Sequence, residues 1–138
     1  MADIRYYIDA DLIALGKSLV QARYDTTYAG DPGDPSRGRP KCPIRRQAKD
    51  PEWIPEVAAR HWIVISRDRQ ITKKSVEINA VKENALRLVV LDVRRDPTTW
   101  GELGIAVARW SDIERVTALT GPRIFIATRT SFRELALK

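Results

Sequence analysis

Ile4-Arg5-Tyr6-Tyr7-Ile8-Asp9-Ala10-Asp11 is the stretch on which the reading of the chain turns, and it runs directly into an apolar-periodic segment that begins at Leu12. It reads as a short buried strand that delivers two acids just as the chain enters a helix. In open α/β sheets, ligands bind outside the carboxyl ends of the strands. A bare carboxylate is costly to bury, so packing is a poor reason for an acid at such a place. Two later strands end in the same way. Trp62-Ile63-Val64-Ile65 runs into Ser66-Arg67-Asp68, and Leu88-Val89-Val90-Leu91 runs into Asp92. The expectation is that these acids converge and hold a divalent metal.

Outward from the first strand, Leu12, Leu15, Leu19 and Ala22 recur at helical spacing and form one buried face. Tyr24 to Tyr28 reads as a second strand. Gly30, Pro32, Gly33, Pro35, Gly38, Pro40 and Pro43 then crowd together, so residues 29–49 are expected to be a long loop without regular structure. Its second half holds six cations, Arg37, Arg39, Lys41, Arg45, Arg46 and Lys49, and no acid. They read either as a solvated surface or as a flap that neutralises phosphates.

Asp50-Pro51-Glu52 is a helix start, with the acid as N-cap and proline in the first turn. Ile54, Val57 and Ala58 face inward, with His61 a further candidate. A third helix has Thr72 as N-cap and Val76, Ala80 and Val81 on its inner face. Lys73 and Lys74 sit at its start, where the helix dipole disfavours cations; they are either simply exposed or hold a phosphate beside Asp68. Asp96-Pro97 repeats the acid-proline start, and Trp100, Leu103, Val107, Trp110, Ile113 and Val116 form an apolar stripe, read first as core and second as a dimer seam. Gly121-Pro122 ends that helix. Residues 124–126 and 132–137 read as a terminal hairpin. The alternation of strands and helices implies one domain over residues 1–138, a three-layer α/β/α fold with a mostly parallel sheet covered on both faces.

With 138 residues there is room for a genuine core. The lone Cys42 excludes an internal disulfide, and the lone His61 leaves a zinc site of the His/Cys type almost no ligands. No segment reads as a membrane span or as a signal peptide, and a cytoplasmic setting is expected. A net charge of +6 favours a polyanionic partner.

Each acid has an ordinary role to set against the metal. Asp9 would cap the first helix, but Asp11 is able to do that instead. Asp68, between Arg67 and Arg69, would make a surface ion pair. Asp50 would cap its helix while keeping a second oxygen for a metal-held water. Asp92 would pair with Arg94 or Arg95. Magnesium and manganese take oxygen ligands and keep several waters, so a few carboxylates suffice. Acids at the centre with cations at the rim (Arg67, Arg69, Lys73, Lys74, Arg45 and Arg46) suit a phosphodiester, whose charge must be attracted while its phosphorus is attacked.

Tyr7-Ile8-Asp9-Ala10-Asp11-Leu12, Asp50-Pro51-Glu52-Trp53-Ile54 and Ile65-Ser66-Arg67-Asp68-Arg69 together resemble a PIN-like ribonuclease domain, in particular the VapC-type toxin branch of type II toxin–antitoxin systems. The resemblance implies an endoribonuclease dependent on Mg2+ or Mn2+ that leaves a 5′-phosphate and is neutralised by a cognate antitoxin. It implies Asp9, Asp50 and Asp68 as the metal-holding and catalytic acids, with Asp11 in support and Asp92 as a fourth. Many PIN domains carry a glutamate on the second helix, so Glu52 and Glu56 stand beside Asp50 for that position. Trp100 and Trp110 would mark either core or a homodimer or antitoxin surface. Asp9-Ala10-Asp11 also resembles the opening of haloacid-dehalogenase-type phosphatases, but Ile13 stands where that pattern has a hydroxyl residue. A PIN-like module that binds RNA or protein without cutting is the remaining alternative.

Overall fold

The computed structural model describes residues 3–67 and 75–137, the side chains of 75–77 excepted. Six strands form one sheet: β1 (Tyr6–Ile8), β2 (Thr26–Tyr28), β3 (Ile63–Ser66), β4 (Arg87–Leu91), β5 (Arg123–Ala127) and β6 (Phe132–Leu135), in the order β2-β1-β3-β4-β5-β6. All neighbours are parallel except β6, which returns antiparallel along β5. The helices are α1 (Ile13–Ala22), α2 (Asp50–Ala59), α3 (Ser75–Glu83) and α4 (Thr99–Arg115).

The inner strands are almost wholly apolar because both faces are covered, as parallel sheets require. Alternation along each strand divides them between two cores. Tyr6, Ile8, Ile63, Ile65, Val89 and Leu91 pack with Leu15 and Leu19 of α1 and with Ile105 and Ile113 of α4. Tyr7, Val64, Leu88, Val90 and Ile124 pack with Trp53, Ile54 and Val57 of α2 and with Val81 of α3. The fold is therefore the three-layer, mostly parallel α/β/α arrangement expected of a PIN-like domain. Strand β1 lies between β2 and β3. The chain thus leaves β1 toward one edge and later returns through α2 to its other side. The sheet order reverses there, and in open sheets the binding crevice lies at the carboxyl ends of such a pair.

Several local expectations are corrected. Strand β2 is shorter than residues 24–28, since Tyr24 lies outside it and is half-exposed. Ala22 is exposed. His61 does not pack under α2; it is an exposed residue with φ +58° just past the helix end, and Trp62, which follows it, is the buried one. Asp96 does not open α4. Its carboxylate takes the Thr98 hydroxyl at 2.5 Å, and Thr98 is the N-cap, accepting the Gly101 N–H at 3.1 Å. Of the expected α4 stripe, Leu103, Trp110, Ile113 and Val116 pack on the core, and two members do not. Trp100 and Val107 are 78% and 68% exposed, so neither is core, while Gly101, Glu102, Ile105, Ala106 and Ile113 face inward. Trp110 is half-buried, edge-on to Tyr6 at 4.8 Å.

The largest correction concerns residues 29–49, which are not structureless. Asp31 and Arg39 form a buried ion pair, with side chains 1% and 4% exposed. Asp31 also accepts from Thr27 Oγ1 at 3.2 Å and from the Gly33 N–H at 2.8 Å, and Arg39 donates to the Thr26 carbonyl at 3.3 Å. A short 3-10 turn, Pro35–Arg37, is capped by Asp34, and Cys42 and Ile44 are buried with the α2 layer. Arg45 is held by Glu52 at 2.8 Å, and Arg37 lies 4.7 Å over the Tyr24 ring. The cations therefore do not form an unopposed patch.

Removing one partner of a buried pair leaves the other charge unpaired, so Asp31→Ala is expected to cost roughly 3–5 kcal/mol. Arg45→Ala breaks an exposed, solvent-screened pair and should cost far less. Urea unfolding of both variants checks the ranking.

Candidate functional site

Asp9 is the first residue past β1, and its N–H still donates to the Ile65 carbonyl of β3 at 2.9 Å. Its backbone is extended, which lets its carboxylate turn back onto the start of the next element. Oδ1 accepts the Ala10 N–H at 2.7 Å and caps the 3-10 turn Ala10–Leu12 that leads into α1. Oδ2 accepts the Ser66 hydroxyl of β3 at 3.2 Å. The cap is therefore Asp9, and Asp11 is an exposed residue in the turn that Asp9 caps. Capping and metal binding remain compatible, because each carboxylate oxygen has a second lone pair.

Asp50 is the first residue of α2 and not its cap, a position that Lys49 occupies. Its carboxylate is exposed and accepts the Trp53 indole N–H at 2.9 Å. The Trp53 ring lies 5.5 Å from Tyr7, which stacks at 6.4 Å on Trp62. The buried Tyr7 hydroxyl is held far above the usual phenol range, chiefly by burial, then by Asp9, Cys42, Asp11 and Asp50. The alternative glutamates on α2 are both engaged elsewhere, Glu52 by Arg45 and Glu56 by Arg60.

Asp68, Arg69, Lys73 and Lys74 lie outside the described residues, as does Thr72. Arg67, which follows Ser66, donates through Nη1 to Oε2 of Glu102 at 3.0 Å. Asp92 follows β4; its N–H donates to the Ala127 carbonyl, and its carboxylate takes Arg94 Nε at 3.0 Å and Nη2 at 2.9 Å. That is the arginine pairing weighed against a metal role. Arg45 and Arg46 are exposed, on the loop before α2.

Glu102 was not anticipated. It lies in the first turn of α4 with its side chain 5% exposed, facing the sheet among apolar residues. Burial raises its carboxyl pKa, and Arg67 opposes that rise. The only sequence signal was an acid immediately after Gly101, and the assumed stripe turned that position outward.

Among the described residues, no three His, Cys, Asp or Glu side chains gather closely enough to hold a metal ion. Asp9 and Asp50 each present carboxylate oxygens steadied by a hydrogen bond, to Ala10 N–H and to the Trp53 indole, the ligand type that Mg2+ and Mn2+ take. Two open clefts among the described residues lie away from these acids. One, lined by Arg5, Arg23, Asp25 and Arg37, is at the opposite, amino-end rim of the sheet; the other is beside Gly121 and Arg123. No helix among the described residues is long and apolar enough to cross a membrane.

A carboxyl whose pKa is raised in the fold binds its proton more tightly there than in the unfolded chain. Its contribution to stability is full below the ordinary glutamate range and is lost as pH rises through the raised value. Wild type minus Glu102→Gln, in unfolding free energy across pH 4 to 8 (about the span in which carboxyl groups and histidine titrate), should therefore fall as pH rises. A difference that grows with pH would contradict the burial of this acid.

Residues 36–93 match a family model described as a PIN-like domain, a segment that takes in the second half of the loop, α2, β3 and β4. No curated protein and no solved structure matches the chain. The matched segment and the sheet topology together support the PIN-domain family and a nuclease-type fold.

Proposed function

We propose that the protein is a metal-dependent endoribonuclease that acts as the toxin of a type II toxin–antitoxin pair in the cytoplasm. The observation that carries this reading is the placement of Asp9 at the point where the strand order reverses, bonded to Ser66 of the neighbouring strand. The PIN-like match over residues 36–93 supports it.

In this reading Asp9, Asp50 and Asp68 hold Mg2+ or Mn2+, with Asp11 supporting them and Asp92 a more distant fourth acid. Such an ion supplies Lewis-acid activation of water and neutralises phosphate oxygens. The protein's own part is to orient the carboxylates and to accept a proton from the attacking water. The water oxygen bonds to phosphorus and the P–O3′ bond breaks. The products are a 5′-phosphate and a 3′-hydroxyl, the latter protonated from solvent. Arg67 and Arg69, with Lys73, Lys74 and Arg46, receive the RNA backbone. The cognate antitoxin and a homodimer are the expected protein partners, and the exposed Trp100 and Val107 on α4 offer a surface for one of them.

A non-catalytic RNA- or protein-binding module is the competing reading, favoured by the lack of a three-acid cluster among the described residues. Asp9→Asn and Asp68→Asn decide between them. Each should abolish Mg2+- or Mn2+-dependent RNA cleavage and weaken Mn2+ binding by calorimetry. Each should shift the melting temperature by only a few degrees, about 1 kcal/mol or less. Cleavage that persists in both variants would remove the acids from the chemistry.

A further inference from the structure

The bond between Arg67 and Glu102 is hard to explain as a device for stability. Glu102 is 4% exposed, and its carboxylate must give up water for a single described ionic partner. A buried ion pair is commonly no better than apolar side chains of the same volume, and Ile105 and Ala106, the buried residues one turn on in α4, are apolar. Its position is nonetheless built with care. Thr98 caps α4 and also accepts the Glu102 N–H at 3.0 Å. Gly101 allows the helix start to close on Asp96, whose carbonyl oxygen would lie 2.2 Å from any Cβ at that residue. The first turn of α4 is thus pinned, and it presents Glu102 toward the end of β3.

Two consecutive residues at that end are tied in different directions. The Ser66 hydroxyl goes to Asp9, and the Arg67 guanidinium goes to Glu102. Only Nη1 of Arg67 is engaged there, and its side chain remains 38% exposed. A guanidinium anchored on one edge keeps donors on the other, in a planar fork suited to phosphate oxygens.

We propose that Glu102 is a positioning residue: it holds Arg67 as the clamp for the phosphate next to the cleaved bond. The proposal rests on the ribonuclease reading above. It differs in sign from a merely structural pair. If Glu102 did no more than neutralise Arg67, removing its charge would free a cation and tighten RNA binding.

The test is Glu102→Gln in the full chain, with Arg67→Ala and the double variant. It uses metal-dependent cleavage of a fluorescent RNA, and anisotropy with a 2′-O-methyl RNA in the absence of metal. Glu102→Gln should cleave about tenfold more slowly and, without metal, bind the 2′-O-methyl RNA more weakly than wild type. Arg67→Ala should lose about a hundredfold in rate, with Glu102→Gln adding nothing to it. Glu102→Leu/Arg67→Leu, an apolar pair, serves if Glu102→Gln does not fold, and should be no slower than Arg67→Ala. Wild-type rate or tighter RNA binding in Glu102→Gln would overturn the proposal, as would additive losses in the double variant. A rate for the apolar pair well below that of Arg67→Ala would also overturn it. A wild-type protein that cuts no RNA with either metal would defeat the ribonuclease reading itself, and this proposal with it.

Discussion

The join between β1 and β3 at their carboxyl ends is the constraint on which the rest of the molecule depends. The Asp9 N–H extends the parallel ladder to Ile65, and the Asp9 carboxylate bridges the Ala10 N–H and the Ser66 hydroxyl. One side chain therefore ends a strand, starts a helix and fixes the neighbouring strand. Its two hydrogen-bond donors meet the cost of keeping a carboxylate half-buried. The sheet order reverses at this pair, the place where open α/β sheets bind their ligands.

Several arginines of this basic chain are spent on its own fold. Arg39 is buried against Asp31. Arg87 donates through Nη1 to the Val116, Thr117 and Leu119 carbonyls at 3.1–3.2 Å and through Nη2 to the His61 carbonyl at 2.6 Å, closing the end of α4 onto the turn before β3. Arg23 makes a two-pronged bond to Asp25 while lying 4.7 Å from the Trp110 ring. A net charge of +6 describes the field around the protein, yet says little about which arginines can reach a phosphate. Arg67, the residue after Ser66, is anchored by Glu102 and still partly exposed.

The fold was legible where apolar residues ran unbroken between turn signals. Tyr6–Ile8, Ile63–Ile65 and Leu88–Leu91 are buried strands for the reason the pattern suggested. Helix faces were read less well. On α4 the stripe holds at Leu103, Trp110, Ile113 and Val116 but fails at Trp100 and Val107, and hydropathy alone gives no warning that a tryptophan stays exposed while a glutamate two residues on is buried. The ion pair that orders the Pro/Gly segment was hidden because composition treats Asp31 and Arg39 as separate surface charges. The strand-end acids stood out because apolar packing gives no reason for a carboxylate there; the structure gives Asp9 a capping role and Asp92 an arginine partner. Glu102 was missed because its reason is a contact with Arg67, 35 residues away in sequence.

The most direct measurement of the central claim is paramagnetic line broadening by Mn2+ in a 15N-labelled sample. The ion should broaden the amides of Asp9, Ala10 and Ser66 and the Trp53 indole N–H first, since all of these bound the carboxyl rim shared by β1 and β3. Broadening that begins instead at the amino-end rim, around Arg5 and Asp25, would contradict a metal centre built on Asp9; so would an absence of site-specific broadening.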